Sequence, residues 1–400
     1  MTYYIIIILC FIVLIAYLFE ITTKFTKIPG VILLMALGLT LRHLATFYGF
    51  RMPDFSILLP IMGTLGLILI VLEGSLDLTI STHKKQLLKT SFASAFFLFL
   101  IFVTVVATIL YYFLGVPLKT TLINAIPIGI ISSAVAIPSA LNLETSDREF
   151  VIYESSVSDI IGILLFDFVL YNQYSIGGGL MFFLLQIVVS IIISVIISAG
   201  LAYMLHKINH HVKYIIILTA VILVFIVAKM IHWPSLIVVL IFGLILNNNH
   251  LFRNLIITRS INFNEFNTNL SSFKQITGEL TFLVRSFFFL IFGFYTPVEE
   301  LLNLQSLAIS ASIYLLILLL RGLFFRFIIK KSLVPLLYFA PRGLITILLF
   351  LSIPAHYKLP FINEGVVTQT IFISIIMMTV GTMLSSTSKE PAFKENSTNS

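Results

Sequence analysis

The chain has 400 residues, 59% of them hydrophobic and only 10% charged, with a mean hydropathy of +1.10 and a formal net charge of +7. Soluble globular chains carry about 25% charged residues, so the composition excludes a water-soluble protein, and the single cysteine, Cys10, excludes an intramolecular disulfide framework or a thiolate metal cluster. The basic excess could suggest nucleic acid, but Lys and Arg sit between apolar runs, where membrane topology accounts for them and a nucleic-acid partner does not.

A helix needs about 17–25 apolar residues to cross a hydrocarbon core, and runs of this kind recur along the whole chain. The first seven predicted spans are residues 3–19, 29–47, 57–78, 89–114, 119–141, 149–171 and 178–205. Six more follow at 213–232, 234–248, 279–296, 304–329, 334–356 and 363–385. The alternation of a β-barrel is missing. The fold class is therefore an all-α polytopic membrane protein of about 13 transmembrane helices. The first run lacks a basic leader and a small-residue cleavage site, so it reads as a retained helix and not a signal peptide. The Asn-rich stretch 249–278 reads as a long surface loop or an interfacial helix, and the polar tail from Ser385 to Ser400 as disordered.

With the N-terminus outside, the inner segments hold sixteen Lys and Arg, and the outer loops hold four, namely Arg42, Arg51, Lys119 and Lys358. That positive-inside bias requires an odd number of spans and places the C-terminus in the cytoplasm. Thirteen spans divide into six, a linker and six, with the two sixes in opposite orientation, which is the inverted-repeat plan of many secondary transporters. The fifth span of the first half is interrupted by Pro127-Ile128-Gly129 and by Ser132 to Pro138; the twelfth is interrupted by Ala340-Pro341-Arg342-Gly343. Breaks at matching positions mark a midplane binding site, although Pro and Gly are also common in membrane helices generally.

Ionisable side chains inside the bilayer cost several kcal/mol or more, yet Glu73, Glu154, Asp159, Asp167, Glu279, Arg285, Arg321 and Arg342 all lie within apolar runs. The densest group is Glu154-Ser155-Ser156-Val157-Ser158-Asp159. Helical spacing puts Ser155 and Asp159 on one face, with Glu154 and Ser158 on the adjoining one. Carboxylate and hydroxyl oxygens suit a hard cation. A carboxylate in a partly desolvated cavity also holds a proton more readily than in water, so one group that takes either a proton or a cation is enough for exchange. For Glu154 a structural ion pair is the preferred reading. Glu73 fits either a ligand or a protonated residue satisfied by a neighbour. Asp167 and Glu279, nearer helix ends, read as interfacial or paired carboxylates. Buried Arg321 demands an anionic partner; Glu154 is the candidate, with Arg285 and Arg342 competing for it. Arg342 could also offset helix dipoles meeting at its break. His206 and His210 have metal-ligand spacing, but without a third ligand they read as a solvated loop pair.

At these residues the chain resembles the cation–proton antiporter superfamily, and within it the NhaP-like sodium/proton exchangers, over essentially all thirteen spans. The stretch Glu154 to Asp159 is similar to the family's Glu-Ser-x-x-Asn-Asp motif. Leu67 to Leu78 resembles a third-span segment, Phe282 to Phe289 a Phe-rich tenth span, and Ala340-Pro341-Arg342-Gly343-Leu344 the Pro-Arg-Gly break. The resemblance implies a dimerisation domain (residues 1–78 and 213–296), a mobile core (89–171 and 304–385), a linker helix (178–205) and a homodimer. It implies a monovalent cation, Na+ or Li+, bound by Asp159, Ser155 and Glu73, with Ser132 or Ser133 adding oxygen, and Glu154 held by Arg321. No catalytic chemistry and no cofactor are expected, only the transported cation and H+, in a bacterial or archaeal cytoplasmic membrane. Two departures matter: Ser158 replaces the family's Asn, and Ser132-Ser133-Ala134 replaces its Thr-Asp-Pro. A single Asp at the motif resembles the electroneutral branch. The competing expectations are a K+/H+ antiporter of the same mechanism, a gated cation channel, and a membrane sensor, for which the tail is too short to supply a signalling domain.

Overall fold

The computed structural model describes residues 2–26, 28–49, 58–79, 84–171, 176–207, 212–231, 233, 235–248, 263–329 and 334–387. The described residues are helical apart from short connections, and they contain no strand. In chain order the helices are α1 (Thr2–Thr26), α2 (Gly30–Phe47), α3 (Leu58–Asp77), α4 (Lys85–Leu114) and α5 (Leu118–Gly129). Then come α6 (Ser133–Ser139), α7 (Thr145–Tyr171), α8 (Ile176–Lys207), α9 (Lys213–Met230) and α10 (Ser235–Asn247). The last five are α11 (Phe263–Tyr295), the single turn α12 (Val298–Leu301), α13 (Leu304–Phe324), α14 (Leu344–Leu351) and α15 (Glu364–Thr387). Among the described residues nine segments are long and apolar enough to cross a membrane, and Ile187–Leu201 and Ser235–Asn247 are shorter apolar helices. Their outward faces carry large apolar side chains such as Phe11, Phe97, Leu185, Ile192, Leu223 and Leu319, as lipid-facing surfaces do.

The helices pack in two groups. α2, α3, α8, α10 and α11 pack chiefly on one another, as do α4, α5, α6, α7, α13 and α15. In the first group α2 and α11 approach to backbone contact. A β-carbon at Gly38 would lie 2.2 Å from the Leu290 carbonyl oxygen, and one at Gly293 would lie 2.3 Å from that of Met35. Small residues let membrane helices come this close when no hydrophobic effect drives them together.

The polar stretch before the tenth span departs from the reading as a loop. From Phe263 onward it continues α11 without interruption. Phe266, Leu270 and Phe273 are buried at the i, i+4, i+7 spacing of one helical face, which the abundant Asn and Ser around them conceal from a hydropathy average. The remainder of that stretch, the tail beyond Thr387, and the side chains of His206 and His210 lie outside the described residues.

Both interrupted spans are broken. The first runs as α5, an extended segment Ile130–Ser132, and α6; Pro127 and Pro138 lie inside the two half-helices and not at the gap. In the second, turns over 334–338 and extended chain to Gly343 precede α14. The two gaps meet: the Ser132 N–H donates to the Pro341 carbonyl at 2.9 Å.

Candidate functional site

The site forms where α7 passes the first gap. Val151, Ser155, Ser158, Asp159 and Gly162 are buried along the side of α7 toward the half-helices, while Glu154, also buried, is turned toward α4 and α13. A side chain at Gly162 would collide with Ile130, 2.2 Å away, so α7 lies directly against the extended segment. That segment and the first residue of α6 present three consecutive backbone N–H groups with no helical acceptor, and in an apolar medium each must find one. Ile131 N–H donates to Ser158 Oγ at 3.0 Å, Ser132 N–H to Pro341 O, and Ser133 N–H to Asp159 Oδ2 at 3.1 Å. Two neighbouring α7 side chains and the opposite gap thus hold the break open.

Asp159 is 1% exposed, and its second oxygen, Oδ1, has no hydrogen-bond partner. It lies at the N-terminal end of α6, where a helix dipole favours negative charge. The Ser132 hydroxyl is likewise buried without a partner; it lies against Gly343, where a β-carbon would come within 2.7 Å of it. Only glycine fits where the gaps cross. Ser155 donates to the Val151 carbonyl of its own helix at 2.7 Å, which leaves its oxygen lone pairs as acceptor capacity. Asp159, Ser133, Ser158 and Ser132 are therefore assembled around one crossing, with Ser155 one turn back on α7.

Glu73 does not join this hydrogen-bonded group. It lies on α3 against α11, where a β-carbon at Gly278 would be 3.5 Å from its carboxylate. Its polar neighbours are Arg285, Asp77, Glu20 and the Thr281 hydroxyl.

The arginines separate cleanly. Arg321, 2% exposed, forms a two-pronged pair with Glu154, itself 1% exposed: Nη1 to Oε1 at 2.8 Å and Nη2 to Oε2 at 2.6 Å. Its Nε donates to the Leu336 carbonyl at 2.8 Å, and its guanidinium lies over the Phe325 ring. Ser94 on α4 adds a short hydrogen bond to Glu154 Oε1. Arg342 donates through Nε to the Ile128 carbonyl at 2.6 Å and through Nη1 to that of Ala340 at 2.9 Å. It places a cation at the C-terminal end of α5, where carbonyl oxygens lack partners and the dipole is negative. Arg285 reaches from α11 to Glu20 at 3.3 Å and to the Ala134 carbonyl at 3.5 Å.

Two contributors were not foreseen from sequence. Ser94 is one hydroxyl in an apolar run, and nothing in its spacing relates it to Glu154. Glu20 falls just past the first predicted span and reads as a solvated end. One signal was present for it: an isolated carboxylate beside an apolar run of seventeen residues, 3–19, with no basic residue before Lys24.

At the N-terminal end of α7 a cavity of about 310 Å³ is lined by Asp77, Thr79, Lys84, Arg148, Glu149 and Tyr153. Lys84 and Glu149 pair across it at 2.7 Å, and the Tyr153 hydroxyl donates to the Thr79 carbonyl at 2.8 Å, linking α7 to the end of α3. Behind Ser158 a second cavity of about 30 Å³ touches Arg321 and Arg342, room for a water molecule or two.

Crossed helix breaks that hold a buried carboxylate inside a lipid-facing helical bundle define a polytopic membrane carrier. Residues 9–390 match the family described as sodium/hydrogen exchanger, transmembrane, and the chain belongs to that family. Its fold is similar to that of the sodium proton antiporter MjNhaP1 from Methanocaldococcus jannaschii at pH 8, with a TM-score of 0.72 and 21% identity over 94% of this chain and 98% of that one. An electron-microscopy structure of the same antiporter gives a TM-score of 0.70 at 18% identity, over the full length of both. Among curated proteins there is no match.

Proposed function

We propose that the chain exchanges Na+, or Li+, for H+, one for one and without net charge movement, using Asp159 as the carboxylate that both ions share. The observation that carries this reading is the half-satisfied state of Asp159: one oxygen is fixed by Ser133 N–H, and the other is buried and unpartnered. A proton on Oδ1, or a cation against it with oxygens from Ser155, Ser132 and Ser133, satisfies that atom equally. Glu73, on α3, is the further proposed cation ligand beside Asp159 and Ser155. The empty site carries an isolated buried charge and does not cross the membrane alone, because such charge is costly at the midplane. Only a loaded carboxylate moves, and exchange follows.

The thirteen crossings, with the N-terminus outside and the C-terminus cytoplasmic, belong to this proposal. So does the division into a dimerising group, α1–α3 with α9–α11, and a moving core, α4–α7 with α13–α15, which the two packing groups support. On that division the polar cavity at Asp77 and Tyr153 is the cytoplasmic approach, and the Tyr153–Thr79 hydrogen bond is a contact that core movement breaks.

The test is proton flux in sealed proteoliposomes holding a pH dye, challenged in turn with sodium, lithium, potassium and choline. Collapse of the gradient by sodium or lithium, unchanged when the voltage is clamped to zero, is the expected result. Collapse by potassium alone keeps the mechanism and changes the cation; a current without counter-flux makes the chain a channel. Asp159→Asn should abolish exchange in protein that remains folded and inserted. Robust cation-dependent proton flux from that variant would remove Asp159 from its role.

A further inference from the structure

Where α9 begins, against α11, the fold buries a cation without a counter-ion. Lys213, the first residue of α9, is 8% exposed, although lysine is almost never buried unless paired. Among the described residues the ion pairs are Lys84–Glu149, Lys274–Asp77, Arg285–Glu20 and Arg321–Glu154, and none involves Lys213. Its ammonium donates to Asn269 Oδ1 on α11 at 2.8 Å, and the Tyr214 hydroxyl donates to the same oxygen at 3.3 Å. Two donors on one atom fix the orientation of the amide, so the remaining atom is the NH2 donor. That Nδ2 is buried and has no partner. It shares a carbon with Oδ1 and so lies beside the ammonium.

The acceptor here is fully used, and what remains is N–H and positive charge. An ammonium has three donors and an amide nitrogen two; one of these five donates to a polar atom, and the ammonium also lies 5.3 Å from the centroid of the Tyr214 ring. The first turn of α9 adds backbone N–H groups that no side-chain cap at Val212 engages. The carboxylate nearest in sequence, Glu265 one turn before Asn269 on α11, is exposed and forms no ion pair with Lys213. From Phe168 to Asn264 there is no Asp or Glu, while Lys207, Lys213, Lys229, Arg253 and Arg259 fall in that stretch. The cluster lies at the end of a membrane-crossing helix, the depth at which phospholipid headgroups carry their charge, and basic sites between helices on the cytoplasmic side recognise such headgroups.

We infer that Lys213, Tyr214 and Asn269 form a site for a phosphate anion, supplied in the membrane by the headgroup of an anionic phospholipid. Phosphate oxygens accept from the ammonium and from Asn269 Nδ2 together, supplying what both lack. The inference is independent of the role given to Asp159.

The experiment follows the Tm of the purified full chain in neutral detergent against dioleoylphosphatidylglycerol, dioleoylglycerol and inorganic phosphate. Phosphatidylglycerol should raise Tm saturably, by about 2 °C or more, and the glycerolipid lacking phosphate should not. Lys213→Met should lose the response. Asn269→Asp supplies Lys213 with a carboxylate from inside the protein, so that variant should fold at least as stably without lipid and no longer respond. A response to inorganic phosphate without one to the lipid keeps the site and makes its source a soluble anion. Equal responses to the two glycerolipids, no response to either phosphate, or an undiminished response in Asn269→Asp would overturn the inference.

Discussion

Helix α7 carries Glu154 and Asp159 five residues apart, both 1% exposed, and the fold treats them in opposite ways. Five residues turn a helix by about 140°, so the two carboxylates face different neighbours. Glu154 faces α4 and α13 and receives three side-chain donors, two from Arg321 and one from Ser94. Asp159 faces the gap between α5 and α6 and receives one backbone N–H, with Oδ1 left over. A carboxylate that is fully neutralised fastens helices together and has no capacity for anything else. A carboxylate satisfied on one side only, in a cleft lined by hydroxyls, can change its occupant.

The sharpest way to break this contrast is to take away the partner of Glu154. Arg321→Met leaves a buried anion uncompensated, which costs about 3–5 kcal/mol, read as a large fall in Tm or loss of monodisperse protein. The double variant Glu154→Met with Arg321→Met should recover most of that loss, because apolar replacement of a whole buried pair is often neutral. Asp159→Asn should lose transport without any comparable fall in Tm, since it removes a buried charge that no side-chain cation compensates. Similar stability losses at both carboxylates would erase the distinction.

The next effect is smaller and concerns how Asp159 is placed. Ser158→Ala deprives the Ile131 N–H of its acceptor and should cost about 1–3 kcal/mol, the penalty for an unmet buried donor. The extended segment then relaxes and carries Ser133 away from Asp159, so the cation concentration for half-maximal exchange should rise while Tm falls modestly. Ser158→Asn, which keeps an acceptor on a longer side chain, should retain more exchange than Ser158→Ala. If the Ala variant kept both the wild-type cation response and Tm, Ser158 would have no part in holding the gap.

These effects also explain which parts of the site could be read from sequence. Glu154, Asp159, Arg321 and Arg342 stood out because charge in an apolar run is costly, and a costly residue needs a reason. The gaps stood out through Pro, Gly and Ser. Their atomic origin did not: Pro127 and Pro138 sit within half-helices, and the gap is held by three N–H groups whose acceptors lie 27, 209 and 26 residues away in the chain. Pairings of that kind depend on tertiary packing and leave no local periodicity. The same is true of Ser94, whose hydroxyl matters only through Glu154, and of the turn of α3 that directs Glu73 toward α11. The helical start of α11 was left open between a loop and an interfacial helix for a different reason, because its three buried apolar residues are diluted by the Asn, Thr and Ser around them.

The smallest effect comes from a third carboxylate, which calibrates the other two. Glu149, five residues before Glu154, pairs with Lys84 at 2.7 Å, but the two side chains are 29% and 34% exposed. Water screens such a pair, so Lys84→Gln should cost less than about 1 kcal/mol against the much larger loss at Arg321. The hydrogen bond to Glu149 holds the Lys84 ammonium above its ordinary range. A raised folded-state pKa means that the contribution is fully present below the unfolded lysine value of about 10.4 and is lost as pH climbs through the folded value. Stability measured for wild type and Lys84→Gln should therefore differ by a small constant amount between about pH 7 and about pH 9, and converge only under more alkaline conditions. A difference that varied steeply within that window would mean that Lys84 acts through another titrating group of the cavity that it lines with Asp77 and Arg148, and Glu149 would no longer serve as the solvent-screened reference for Glu154 and Asp159.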